Sequence, residues 1–261
     1  MQLQNMNKIN ELLTIAIPVR VDSEERKANL HTVLDFLSGL RCRIIVLEAD
    51  DKPILETEVW LGNAEYIFVK DTSSVFYRTM YINKILQMSH TEIVAVWDVD
   101  VFISYSQLYD ALCLIQNGYT MVFPYNGQCF MLTEQISYRM RKKIDMEYLR
   151  NKKMEMYFGR KSCGGIHVVH RERYLQCGGE NERFTGWGPE DAERLRRVRI
   201  LGHKVTWCSQ SPLYHLHHPR GNNSFFQSEQ DAITLRLEFV KICNMTKEEL
   251  QSYVLSMNNP N

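Results

Sequence analysis

Two rhythms of apolar positions run through the first half of the chain. Segments 14–19, 43–47, 66–69 and 93–97 are short and almost wholly apolar, the pattern of strands buried on both faces. Between them, Asp22 with Glu25 three residues on is a capping-box-like start for a helix running to about Leu37. Residues 75–88 read as a second helix, with Val75, Met80, Ile82, Ile85 and Leu86 available for its inner face. Strands alternating with helices predict an α/β fold with a mostly parallel central sheet and right-handed crossovers. Ligands of such sheets bind at the carboxyl ends of the strands, which places Arg20, Asp22, Glu48, Asp50, Asp98 and Asp100 along one rim.

The second half is less regular. Segments 121–124, 163–169 and 204–207 read as short strands, the middle one reached through Gly164-Gly165. A helix is expected from Pro189 or Glu190, carrying Leu195, Val198 and Leu201 inward before a stop at Gly202. Residues 228–242 and 246–256 close the chain as two helices. No repeat or linker divides residues 1–261, so a single domain is expected.

Composition narrows the function classes. The chain is 44% hydrophobic and 24% charged, with 31 basic and 31 acidic residues, so no global charge favours nucleic acid. No run is long enough for a membrane span, and residues 1–14 lack a signal-peptide layout. Seven scattered cysteines without a CxxC pair suggest neither a zinc site nor a disulfide framework, and so a reducing, cytoplasmic location. Residues 134–161 carry nine Arg or Lys against four Asp or Glu, a solvated helix face or a surface for an anionic acceptor or membrane.

Three clusters carry candidate chemistry. The apolar run 93–97 ends in Asp98-Val99-Asp100, and side chains two apart on an extended chain share a side. Carboxylates that close repel unless a proton or a cation lies between them, and a divalent ion with a phosphate-bearing substrate meets that need. In Gly186-Trp187-Gly188-Pro189-Glu190-Asp191, flanking glycines leave the indole face open for a sugar, and the two acids sit where a helix dipole favours their ionised form. The alternative there is an ordinary acidic helix start behind a packed Trp. Finally, His215, His217 and His218 offer imidazole ligands: 215 and 217 share a face in a strand, 215 and 218 converge in a turn. Arg78 and Arg220 are candidate phosphate partners.

In this order the clusters resemble the GT-A glycosyltransferases, notably the β-1,4-galactosyltransferase and N-acetylgalactosaminyltransferase group and bacterial family 2 relatives. Ile17-Pro18-Val19-Arg20, Val46-Leu47-Glu48, Phe76-Tyr77-Arg78-Thr79 with Asn83, Trp97-Asp98-Val99-Asp100, Cys163-Gly164-Gly165-Ile166 and Phe184 through Asp191 carry the likeness. It implies a nucleotide-sugar-binding half at about 12–120, an acceptor and catalytic half at about 121–220 and C-terminal helices at 221–261. It further implies an inverting transfer of a galactose or N-acetylhexosamine type sugar from a UDP-sugar to a saccharide acceptor, helped by Mn2+ or another divalent cation.

Carried over residue by residue, Asp100, His215 and His218 take the metal and Asp98 supports the ribose or the metal waters. Asp191 becomes the general base and Glu190 the partner of acceptor hydroxyls. Pro18, Arg20, Asp22, Glu48, Arg78 and Arg220 become donor contacts, and Gly165, Trp187 and Gly188 line the sugar and acceptor side. The chain departs from the pattern where His215 replaces a Met, His217 adds a third imidazole, Pro189 replaces a Gly, and Ala192 and Glu193 replace Asp. Two other readings share the layout: a retaining transferase of the polypeptide N-acetylgalactosaminyltransferase type, and a non-catalytic sugar-binding protein. A lipid-linked acceptor would bring the basic stretch 139–161 to the inner face of a membrane.

Overall fold

The computed structural model describes residues 11–152, 154, 159–209 and 211–258. Expectations placed on residues 1–10, 259–261, and on 153 and 155–158 of the basic stretch, lie outside them. The first half forms β1 (Leu13–Val19), α1 (Glu24–Leu37), β2 (Arg43–Asp50), β3 (Glu65–Lys70), α2 (Arg78–Met88) and β4 (Ile93–Trp97). Short strands β5 (Val101–Phe102), β6 (Met121–Phe123) and β7 (Cys129–Met131) follow, with α3 (Tyr105–Gln116) among them. Next come α4 (Glu134–Lys142), α5 (Met146–Arg150), β8 (Ile166–His170), α6 (Arg171–Gln176) and α7 (Glu190–Ile200). The chain closes with β9 (Val205–Trp207), β10 (Leu213–His215), α8 (Glu229–Cys243) and α9 (Lys247–Asn258).

Seven strands make the central sheet in the order β3-β2-β1-β4-β8-β6-β9. β1 is parallel to β2 and β4, and β2 to β3, as crossover helices require. β8 runs antiparallel to both β4 and β6, with Trp97 opposite Ile166. That reversal brings the amino end of β8, with Gly164 and Gly165, to the rim where β1 and β4 end. β1 and β4 are buried throughout, which explains their unbroken apolar runs.

Several expectations are corrected. Ser23, not Asp22, caps α1 by accepting from Arg26 N, and Asp22 instead holds the Arg26 side chain. Met80 is exposed, because the inner face of α2 is Thr79, Tyr81, Ile82, Ile85 and Leu86. The face of α7 is more unusual. Leu195 is half-buried, while Glu193, Arg194 and Arg197 are fully buried beside Val198. These charges survive burial because they are paired: Arg197 Nε lies 2.6 Å from Glu193 Oε1, and Arg197 also donates to the carbonyls of Cys177 and Gly179.

A second sheet, ordered β5-β10-β7, was not legible in strands this short. α3 also goes unread above, although it has a Ser104–Gln107 capping box and buried Leu108, Ala111, Leu112 and Ile115. All seven cysteines are free. Among the described residues no helix is long and apolar enough to cross a membrane.

Candidate functional site

A cleft opens along the rim formed by the ends of β1 and β4 and the start of β8. Pro18, Arg20, Asp22, Arg78, Asp98, Asp100, His215, His218 and Arg220 line it, the donor wall by their expected roles, together with Gly165, Trp187, Glu190 and Asp191, the acceptor wall. Thirteen of the fifteen residues given metal, catalytic or substrate roles above thus line one cleft.

Asp98 and Asp100 line the cleft from a turn, not from extended chain, since Val101 N donates to the Asp98 carbonyl. Asp98 N donates to Gly165 O, tying the turn to β8. The turn gives the two acids different neighbours. Arg78 Nη2 and Nε hold Asp98 Oδ1 at 2.5 and 3.1 Å. Burial pushes the Asp98 carboxyl up, against the pull of Arg78, and the Asp100 charge adds to the rise. For Asp100, burial works upward too, but His215, His218 and Arg26 outweigh it and hold the carboxyl well below the usual range.

Asp100 lies at the centre of the candidate metal cluster. His215 Nε2 is 3.4 Å from Asp100 Oδ1, and His218 Nε2 is 3.1 Å from Asp100 Oδ2. The ligand atoms of all three lie within 4.8 Å of one another. Each ring is oriented by its other nitrogen: His215 Nδ1 is 2.7 Å from Leu216 O and His218 Nδ1 is 2.8 Å from Pro219 O. A carbonyl only accepts, so Nδ1 carries the proton and a neutral ring turns its Nε2 lone pair toward Asp100. Lone pairs and a carboxylate aimed at one point require a positive charge there. One carboxylate and two such imidazoles suit a divalent transition-metal ion, with backbone carbonyls fixing the rings. Without an ion the demand falls on protons, and Asp100 raises the His218 imidazole pKa against the opposing effect of burial.

The small sheet assembles this cluster. β10 pairs His215 with Val101, and Leu216 N donates to Asp100 O at 2.7 Å. His217, left open by the sequence, faces elsewhere. Its amide donates to Ser137 Oγ, its carbonyl accepts from Asn29 and Arg141, and its ring is not part of the cluster. Arg141 of the basic stretch is therefore committed inside the protein, and Arg139 stacks 3.9 Å over the Tyr148 ring.

On the acceptor wall Trp187 is 44% exposed, enough to offer a ring face, and Phe226 meets it edge-on at 5.0 Å. Glu190 and Asp191 open α7. Burial, and then the Asp191 charge, push the Glu190 carboxyl up to about 8, and its Oε2 has no hydrogen-bond partner. Glu190 is therefore biased toward its protonated form at neutral pH, beside Asp191 in the cleft lining. Asp191 Oδ1 accepts from Arg194 Nη1 at 2.7 Å.

Two predicted contacts lie outside the cleft. Glu48 is fully buried, and its oxygens accept from Ile54 N, Leu55 N and Tyr66 Oη, so it secures the β2–β3 connection away from the cleft lining. Gly188 packs under α8, where a Cβ would meet Leu235 at 3.2 Å. Arg20 does line the cleft, but its guanidinium is spent on Ala49 O, Ser73 O and Asp71, making it a strut of the rim. Sequence reasoning missed Arg26, which joins Asp22 to Asp100; its position four residues after Asp22 is the available signal.

Comparisons with known proteins agree with this architecture. Residues 146–219 match the family model described as the N-terminal domain of galactosyltransferase. Human and mouse β-1,4-galactosyltransferase 7 are each 38% identical over 47 residues, 18% of this chain and 14% of theirs. A crystal structure of GalNAc-T7 with UDP, GalNAc and Mn2+ superposes over 89% of this chain and 48% of that one, at 13% identity and a TM-score of 0.60. The chain thus spans about half of its structural relative and a small part of the curated ones. It has the GT-A glycosyltransferase fold, and it is galactosyltransferase-like across the segment that holds β8, the Trp187 loop and both cluster histidines.

Proposed function

We propose that this protein is a divalent-cation-dependent hexosyltransferase that moves a galactose or N-acetylhexosamine type sugar from a UDP-sugar to a saccharide hydroxyl, with inversion. One observation carries the reading: the Asp100–His215–His218 cluster and the Glu190–Asp191 pair face the same cleft. A cation site alone fits many phosphate-binding proteins, and a carboxylate pair alone fits many acidic helix ends. Together they supply both partners of a group transfer. The fold likeness to a protein solved with UDP, GalNAc and Mn2+ supports the donor class.

Asp100, His215 and His218 would hold the ion, which when bound supplies Lewis-acid stabilisation of a departing diphosphate. The remaining chemistry belongs to the chain. Trp187 stacks the acceptor ring, and protonated Glu190 hydrogen-bonds an acceptor hydroxyl. Asp191, at the amino end of α7, takes the proton of the attacking hydroxyl. Arg78 holds Asp98 fixed beside the donor.

Thermal-shift titration with UDP-, GDP- and dTDP-sugars, with and without Mn2+, tests the donor assignment. Mn2+-dependent stabilisation selective for UDP-sugars is expected, and no shift with any nucleotide sugar removes the basis of the proposal. Proton NMR of the product then reads the stereochemistry. An α-linked product from an α-linked donor would replace inversion with retention.

A further inference from the structure

The carboxylate assigned above as the base is not free to turn. Asp191 lies in the first turn of α7, where backbone N–H groups lack helical partners and attract carboxylates. Pro189 provides no side-chain cap for those groups. Instead Asp191 Oδ1 is drawn to Arg194 Nη1 at 2.7 Å. Oδ2 sits over Gly164, so close that a Cβ there would overlap it. The absence of a side chain at 164 is thus a condition of this carboxylate pose.

Arg194 is itself immobilised. It is fully buried, and its Nε and Nη2 grip both oxygens of Glu180 at 2.8 to 3.0 Å. Glu180, also buried, is fixed in turn by the Tyr174 hydroxyl at 2.7 Å. Its backbone is held as well, since Glu180 N and O both bond the Asn83 side chain. His167 Nε2 lies 3.5 Å from Glu180 Oε1, and burial followed by the Arg194 charge lowers this imidazole to about 4, so it is neutral. The result is a line of charge, Glu180–Arg194–Asp191, leading from the interior to the cleft. A fork bound at both ends loses little further freedom, which is how a carboxylate is pre-organised without touching it from solvent.

We infer that Arg194, clamped by Glu180, is the positioning residue that aims Asp191 at the acceptor hydroxyl. The inference rests on the proposed role of Asp191, and it adds a device that the cleft residues do not contain. Stability alone does not explain the pair. Replacing a buried ion pair by apolar residues of similar volume is often neutral or stabilising, whereas positioning needs the charge itself.

The double variant Glu180→Met/Arg194→Met separates the two roles, because it leaves no uncompensated buried charge between these residues. Its melting temperature is expected within about 3 °C of wild type. Its affinity for UDP-sugar with Mn2+ and its KM should be unchanged, with kcat lower by about 100-fold. A kcat within about 3-fold of wild type, while Asp191→Asn is inactive, overturns the inference. Should the double variant not fold, Arg194→Lys keeps a cation for Glu180 but cannot bridge to Asp191. The same kcat loss at constant KM is then required, and wild-type kcat rejects it. Absence of transfer by the wild-type protein, or full transfer by Asp191→Asn, removes the base assignment first and this inference with it.

Discussion

The two walls of the cleft keep their charges by opposite means. On the donor wall Asp22, Asp98 and Asp100 sit at strand ends and turns, paired with Arg26, Arg78 and His218, which line the same cleft. On the acceptor wall the charges of α7 continue inward, so that Glu193, Arg194 and Arg197 are as buried as the leucines of the sheet. A charge at a rim can be removed without exposing its partner to an apolar interior, but a charge beneath a helix cannot. The donor wall is therefore built to exchange partners with a ligand. The acceptor wall is built to hold one arrangement.

The comparison is tested most severely by chemistry. Asp191→Asn should cut transfer by about 10³-fold or more while UDP-sugar binding persists, measured by initial rates and calorimetry. If binding falls in parallel with rate, Asp191 belongs functionally to the donor wall and the division fails.

Stability comes next. Arg197→Met leaves Glu193 buried without its cation, and chemical denaturation should show a loss of about 3–5 kcal/mol. Asp22→Asn removes a charge at the exposed rim, and the expected loss is below about 1 kcal/mol, whereas Asp100→Asn abolishes Mn2+-dependent stabilisation. Equal losses for Arg197→Met and Asp22→Asn would erase the distinction between the walls.

Glu190 stands at the boundary, and pH reads its position. Its carboxyl moves from an ordinary 4.5 to about 8, so the folded protein binds a proton the unfolded chain gives up. The associated stability is complete below pH 4.5 and is lost as pH rises through about 8. Glu190→Gln should therefore raise the melting temperature in chelator by about 2–4 °C at pH 9 and much less at pH 5. A gain independent of pH would mean that the carboxyl is not desolvated.

The smallest effect concerns the start of α1. Ser23→Ala should cost about 1 kcal/mol through the lost cap to Arg26 N, without changing UDP-sugar affinity.

The parallel half of the fold is legible because unbroken apolar runs such as those of β1 and β4 have few alternatives to a strand buried on both faces. Asp98-Val99-Asp100 and the Trp187 loop are legible for a related reason: their residue types are costly where they stand unless a ligand uses them. Glu48 shows the limit. A carboxylate after a buried strand reads as a rim residue, but two backbone amides and a tyrosine hydroxyl consume it. The burial of Arg194 and Arg197 was hidden because local sequence does not reveal a distant acid such as Glu180 or the carbonyls of Cys177 and Gly179. Strands β5, β7 and β10 are too short to carry a period, so the choice among His215, His217 and His218 could only be made by the tertiary fold.

That small sheet has a consequence for how the protein matures. Val101 and His215 are neighbours across β5 and β10, and the bond from Leu216 N to Asp100 O closes the junction. The cation cluster therefore draws on segments far apart in the chain and forms only after the later one has returned. Loop closure of this kind is slow relative to local helix formation. A growing or nicked chain that ends before β10 contains the acidic turn but no imidazole ligands from β10 and the loop after it. Ion affinity is then acquired late, and by linkage the ion stabilises the finished fold over every incomplete one.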